Sequence, residues 1–186
     1  IFTINKNNYC KQFQDELYKM NTTQNRIMIL ALGNDIMGDD GAALAAAKIL
    51  RNEFGIEVDI FEIASAGFML LDLMEGYDKV IIIDTILSNN IPGNIRELSL
   101  EELTSRHTSS PHYAGLPEII GLAKKLELNF PDEVRIIVME ITDPFIIRQG
   151  LSPEIMEEIP ALVSRVKDIV NKWKLPEALN KYELIH

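Results

Sequence analysis

The chain has 186 residues, 47% of them apolar, and carries 28 Asp and Glu against 18 Lys and Arg, a formal charge of −10. That length suits one compact domain with an ordinary core. So negative a surface repels phosphate backbones and anionic headgroups, which argues against nucleic-acid or membrane-surface binding and favours a cation or a partner presenting one. The sole cysteine, Cys10, leaves no internal disulfide and no multi-cysteine zinc site. No apolar run approaches the roughly 18 residues of a membrane span, and no segment reads as a signal peptide, so a cytoplasmic location is expected.

Residues 1–25 are polar, with Asn5, Asn7, Asn8, Asn21, Thr22, Thr23, Gln24 and Asn25, and with weak helical spacing at Tyr9, Phe13, Leu17 and Met20. They read as a short helix plus linker ahead of a domain over 26–175, with Met20 an alternative start and 176–186 a tail. Ile27 to Leu32 is a continuous apolar run ending at Gly33-Asn34, as a buried parallel strand should be. Asp39 to Asn52 reads as a helix, with Asp39 and Asp40 in its first turn, Ala43, Leu44, Ala47 and Leu50 as its inner stripe, and Gly55 closing it. Glu57 to Ile63 alternates like a strand, Gly67 to Met74 is a short helix, and Lys79 to Ile83 is a second buried strand terminating at Asp84. After the Pro92-Gly93 turn, Ile95 to Leu98 forms a short edge strand. A helix over about Pro117 to Leu126, a strand over Val134 to Met139 and a last helix from Ser152-Pro153 to about Trp173 complete the pattern. The last helix turns Ile155, Ile159, Leu162, Val166, Ile169 and Val170 inward. This order implies a three-layer α/β/α domain, a mostly parallel twisted sheet of about five strands with helices on both faces.

Ligands of such domains gather at the carboxyl ends of the strands, where this chain places Gly33 to Gly41, Asp84, Glu140 and Asp143. The glycine-bearing loop is no nucleotide cradle: it lacks G-x-G-x-x-G and Gly-Lys-Ser/Thr, and no basic residue occurs from Leu30 to Ala47. Three aspartates would also cancel the field that welcomes phosphate at a helix N-terminus. Carboxylates on a glycine-shaped loop suit a divalent cation instead, and Asp84 emerges at a neighbouring strand end. A histidine is the natural third ligand for nickel, zinc or copper. His186 is terminal, His107 lies in a polar loop, and His112 stands just before a helix. Each of these residues also has an ordinary reading: an aspartate at a helix start caps it, an aspartate after a strand ends it, and a loop histidine faces solvent.

Taken together the motifs resemble the hydrogenase maturation endopeptidases, which process the large subunit of nickel–iron hydrogenases. The likeness rests on Leu32-Gly33-Asn34 with Asp39-Asp40-Gly41, on Ile81-Ile82-Ile83-Asp84 with Pro92-Gly93 beyond, on Ser110-Pro111-His112 with Gly115-Leu116, and on Gly150-Leu151-Ser152-Pro153. It spans about Ile27 to Lys172. The resemblance implies that Asp40, Asp84 and His112 are the catalytic and nickel-binding residues, and it selects His112 over His107. It implies that the substrate is the nickel-loaded precursor of a large subunit, which loses a short C-terminal extension. Ni2+ then arrives with the substrate, and Zn2+ or Cd2+ can take its place in vitro. Asp39 becomes a helix-start or supporting acid. One departure is Glu62-Ile63-Ala64-Ser65-Ala66-Gly67, where the family has Asp followed by glycines and threonine, so that Glu62 takes over the acidic position. No serine–histidine–acid or cysteine–histidine set is present to compete. Two other functions fit parts of the pattern: a non-proteolytic nickel-binding assembly factor for the same precursor, and a peptidyl-tRNA-hydrolase-like esterase, which the negative charge disfavours.

Overall fold

A computed structural model describes residues 25–64, 69–87, 90–99, 102 and 116–175. The expected N-terminal helix with linker, the tail, His107 and His112 lie outside the described residues. Five strands form one sheet in the order β2-β1-β3-β5-β4: β1 Ile27–Leu32, β2 Asp59–Ile63, β3 Lys79–Leu87, β4 Ile95–Leu98 and β5 Glu133–Ile141. β1 pairs in parallel with β2 and β3, β3 pairs in parallel with β5, and β4 closes the edge antiparallel to β5. The helices are α1 Ala42–Phe54, α2 Met69–Met74, α3 Leu116–Lys125 and α4 Pro153–Lys174.

The alternation of side chains divides the core into two layers. Ile27, Ile29, Ala31, Ile81, Ile83, Ile137 and Met139 pack with α1 and α4, whereas Met28, Leu30, Leu32, Val80, Ile82, Ile136 and Val138 pack with α2 and α3. β1 is buried at every residue because both of its faces are covered, which is why its sequence is apolar without a break. Emptying one such site, as in Ile82→Ala, costs about 2–5 kcal/mol. The inward stripe expected on α4 is buried from Ile155 to Val170, and Ser152 caps that helix by accepting from the Ile155 amide at 3.4 Å. Gly55 ends α1 at φ 57°, a positive φ that glycine adopts without a steric cost.

Two boundaries differ from expectation where the function lies. β3 does not terminate at Asp84; it runs on to Leu87, since β5 keeps pairing with it as far as Leu87 and Ile141. The helix expected from Asp39 begins instead with a 3-10 turn, Gly38–Gly41, and only then becomes α1. Gly38 and Gly41 are poor helix formers, and the Asp40 amide bonds back three residues to the Met37 carbonyl. β2 also starts later than expected, at Asp59, after the turn that follows Gly55. Among the described residues no helix is long and apolar enough to cross a membrane.

Candidate active site

The strand order reverses direction around β1, with β2 on one side and β3 on the other, so the crevice of the sheet opens at the carboxyl ends of β1 and β3. β1 and β3 stay in register up to Ala31 and Ile83, one residue short of Asp84. Asp84 therefore stands where its neighbour is ending and the loop after β1 begins.

Gly33 starts that loop at φ 155°, and its amide still bonds the Ile63 carbonyl of β2. A β-carbon at Gly33 would lie 2.2 Å from the backbone oxygen of Asp40, so only glycine admits this approach. Asn34 then turns the chain, its side-chain oxygen accepting from the Ile36 amide and its carbonyl from the Met37 amide. The result carries Asp40 back over the end of β1 into the interior, where it is only 6% exposed, and Asp84 is fully buried.

Thr85 ties the two acids together. Its hydroxyl donates to Asp40 Oδ1 at 2.9 Å and its amide donates to Asp84 Oδ1 at 2.7 Å. By strand alternation the Thr85 side chain shares the face of Ile81 and Ile83, toward α1, while Asp84 shares the face of Val80 and Ile82, toward α3. Thr85 passed unnoticed in the sequence because a threonine inside an apolar strand reads as a β-former. Its one signal was a hydroxyl directly beside a buried acid.

Asp39 has a different task from capping its own turn. Its Oδ1 accepts from Arg148 Nη2 at 2.9 Å and from the Ser152 amide at 2.6 Å, so it fastens the acid loop to the start of α4. The fastening is doubled in the backbone, where Gly38 donates to the Arg148 carbonyl and Arg148 to the Ile36 carbonyl. Arg148, like Thr85, was not singled out by the sequence.

The remaining strand-end acids separate from this pair. Glu140 is buried at the end of β5 and accepts from Asn90, Asn94 and Arg96. Asp143 accepts from the Phe145 amide and shapes an exposed turn. Glu62, on edge strand β2, accepts from Arg51 Nη1 of α1 at 2.6 Å. Asp40 and Asp84 are both buried and both bonded to Thr85, and carboxylate oxygens are hard ligands of the kind that suit a divalent cation. No group of three His, Cys, Asp or Glu residues able to hold a metal occurs among the described residues.

Known proteins resemble the chain in sequence and in fold. The sequence profile described as hydrogenase maturation protease matches residues 44–169, a stretch that contains Asp84 and begins just after the acid loop. The hydrogenase 2 maturation protease of Escherichia coli K12 is 31% identical over 145 residues, covering 74% of this chain and 86% of its own. A NiFe hydrogenase maturation protease from Thermococcus kodakarensis, solved as a structure, is 27% identical with a TM-score of 0.62, covering 77% of this chain and 98% of that one. A hydrogenase-maturating endopeptidase of Escherichia coli shares the fold with a TM-score of 0.65 at 24% identity, covering 79% of this chain and 93% of that one. The chain belongs to the hydrogenase maturation protease family, and it is a hydrolase, an endopeptidase of hydrogenase maturation.

Proposed function

We propose that the chain removes the C-terminal extension from the precursor of a nickel–iron hydrogenase large subunit, and that it does so only once nickel has been loaded. The observation that carries this reading is the buried pair Asp40 and Asp84, aimed by Thr85 at the switch point of the sheet. In this reading Asp40, Asp84 and His112 complete the coordination of a nickel ion that the substrate already holds. His112 precedes α3 by four residues in sequence, and α3 packs on the sheet face that Asp84 shares. An unloaded precursor then lacks the anchor, so the metal acts as a checkpoint on assembly. Buried carboxylate oxygens meet a divalent ion through a lower effective dielectric than the same groups would in water. Once seated, the ion is available to polarise a peptide carbonyl or to acidify a water. Zn2+ and Cd2+ are the expected stand-ins.

The test is to incubate the purified protein with nickel-loaded and nickel-free precursor and to weigh the products by mass spectrometry. Loss of a C-terminal peptide from the loaded form alone is expected. Asp40→Asn, Asp84→Asn and His112→Ala should each abolish that loss while the circular dichroism spectrum stays unchanged. Full cleavage by any one of these variants removes that residue from the site. Tight binding of the loaded precursor without any mass change would make the protein an assembly factor instead.

A further inference from the structure

Beyond the acid pair, the segment leaving β5 has a composition that the core does not use. Asp143-Pro144-Phe145-Ile146-Ile147-Arg148 places three large apolar residues in succession, and Phe145 is 65%, Ile146 43% and Ile147 85% exposed. Ile36, on the acid loop, is 63% exposed beside them, its carbonyl accepting the Arg148 amide. A run of exposed apolar residues on a soluble domain is unfavourable unless something covers it.

The segment is held firmly in place. Asp143 fixes its start through the Phe145 amide, and Arg148 fixes its end twice, by a parallel bridge to Met37 and by its guanidinium on Asp39. Both anchors at that end belong to the loop that presents Asp40. The apolar surface and the acid site are therefore one continuous unit, in which Ile36 lies four residues before Asp40 in sequence. A protease has to seat a polypeptide on either side of whatever it holds at its reacting centre. A chain bound at Asp40 and Asp84 therefore has Ile36 and the Phe145–Ile147 run at hand on the neighbouring surface. The formal charge of −10 weighs against an anionic lipid surface as the occupant.

We infer that Ile36, Phe145, Ile146 and Ile147 form the docking surface for an apolar segment of the polypeptide substrate, next to the acid pair. The inference deepens the proposed function by giving the substrate a recognition element besides its metal. In protein contacts a few residues carry most of the binding energy once a partner desolvates them.

The double variant Phe145→Ser with Ile147→Ser tests it in the full chain. Both side chains are solvent-exposed, so the fold should be kept. The dissociation constant for the nickel-loaded precursor and KM for its processing should rise about tenfold or more, with the loss falling on KM rather than kcat. Binding of Cd2+ by calorimetry should match the unsubstituted chain, since no ligand is touched. An unchanged dissociation constant overturns the inference. Weakened Cd2+ binding also overturns it, by making the loop a support of the acid site. Loss of a dimer in sedimentation velocity would assign the surface to a second copy of the chain. A chain that binds the precursor through this loop but never cleaves it would defeat the cleavage reading and leave the docking surface standing.

Discussion

The carboxyl edge of the sheet carries buried acids at two stations, and the fold holds them by different means. At the end of β5, Glu140 accepts from the Arg96 guanidinium at 3.3 Å and from the amides of Asn94 at 3.2 Å and Asn90 at 3.3 Å. Its backbone also grips the β3–β4 connection, accepting from Gly93 and donating to Asn94. At the ends of β1 and β3, Asp40 and Asp84 are aimed by the hydroxyl and amide of Thr85. A guanidinium brings a compensating charge to the acid it binds, whereas a threonine hydroxyl contributes direction to its hydrogen bond. The first arrangement fastens a loop; the second links the acid loop to β3 through Thr85. Burial alone does not distinguish the two stations, and substitutions at each of them do.

The strongest way to separate the stations is through their glycines. Gly33→Ala drives a methyl into the Asp40 carbonyl, backbone against backbone, with no side chain available to yield. It should cost about 3 kcal/mol in chemical denaturation and at least about a hundredfold in processing, because Asp40 moves. Gly93→Ala, at φ 86°, meets the Cγ of Glu158 at 2.7 Å, and that side chain can swing away. A cost of about 1–2 kcal/mol with processing per folded molecule retained is expected. Equal loss of processing in both variants would erase the distinction.

Glu140→Gln comes next. It leaves Arg96 facing a neutral amide, although Glu102 still bonds that guanidinium at 3.2 Å. About 2 kcal/mol of stability should go, with turnover per folded molecule unchanged. Lost turnover at full stability would move Glu140 into the reacting centre.

Thr85→Val is smaller in stability and more telling in function. The isosteric change removes the hydroxyl from Asp40 at a cost of about 1 kcal/mol, and processing and Cd2+ affinity should each fall about tenfold. Thr85→Ser, which keeps the hydroxyl, should restore both. If valine leaves Cd2+ affinity intact, Thr85 is only a packing residue.

What the sequence disclosed follows from this comparison. Layer order, strand polarity and the α4 stripe were legible because periodicity reports burial, and the place of Asp40 and Asp84 at the strand ends was legible from where the apolar runs stop. Thr85 was not, since its hydroxyl meets Asp40 from a residue 45 positions away, across the sheet. Arg148 and Asp39 are 109 positions apart, and their pairing depends on how the segment after β5 returns to the acid loop. The continuation of β3 past Asp84 was hidden for a similar reason. It is imposed by the length of β5, a partner that pairs from across the chain. Local pattern gives the elements, whereas the support of a site is made of contacts between them.

A fourth carboxylate carries the comparison to the surface, where charge compensation should be worth least. Glu97 on edge strand β4 accepts from Arg135 of β5, with Nη2 at 2.7 Å, and from Arg165 of α4 at 3.0 Å. Hydrogen bonding from Arg135, then its charge and the Arg165 contact, hold the Glu97 carboxyl below its ordinary value of 4.5, against an opposing push from partial burial. Because the folded value lies below the unfolded one, the stabilisation is fully present above pH 4.5 and disappears as pH falls through the folded value. Arg135, raised further above its ordinary value, stays protonated throughout. Solvent reaches all three side chains, so the contribution should be no more than about 1 kcal/mol. Thermal melts of the wild type and Glu97→Gln should differ slightly at neutral pH and converge below pH 4.5. Curves that stay parallel through that window would show that the Arg135 and Arg165 contacts fasten the β4 edge without storing charge-dependent stability.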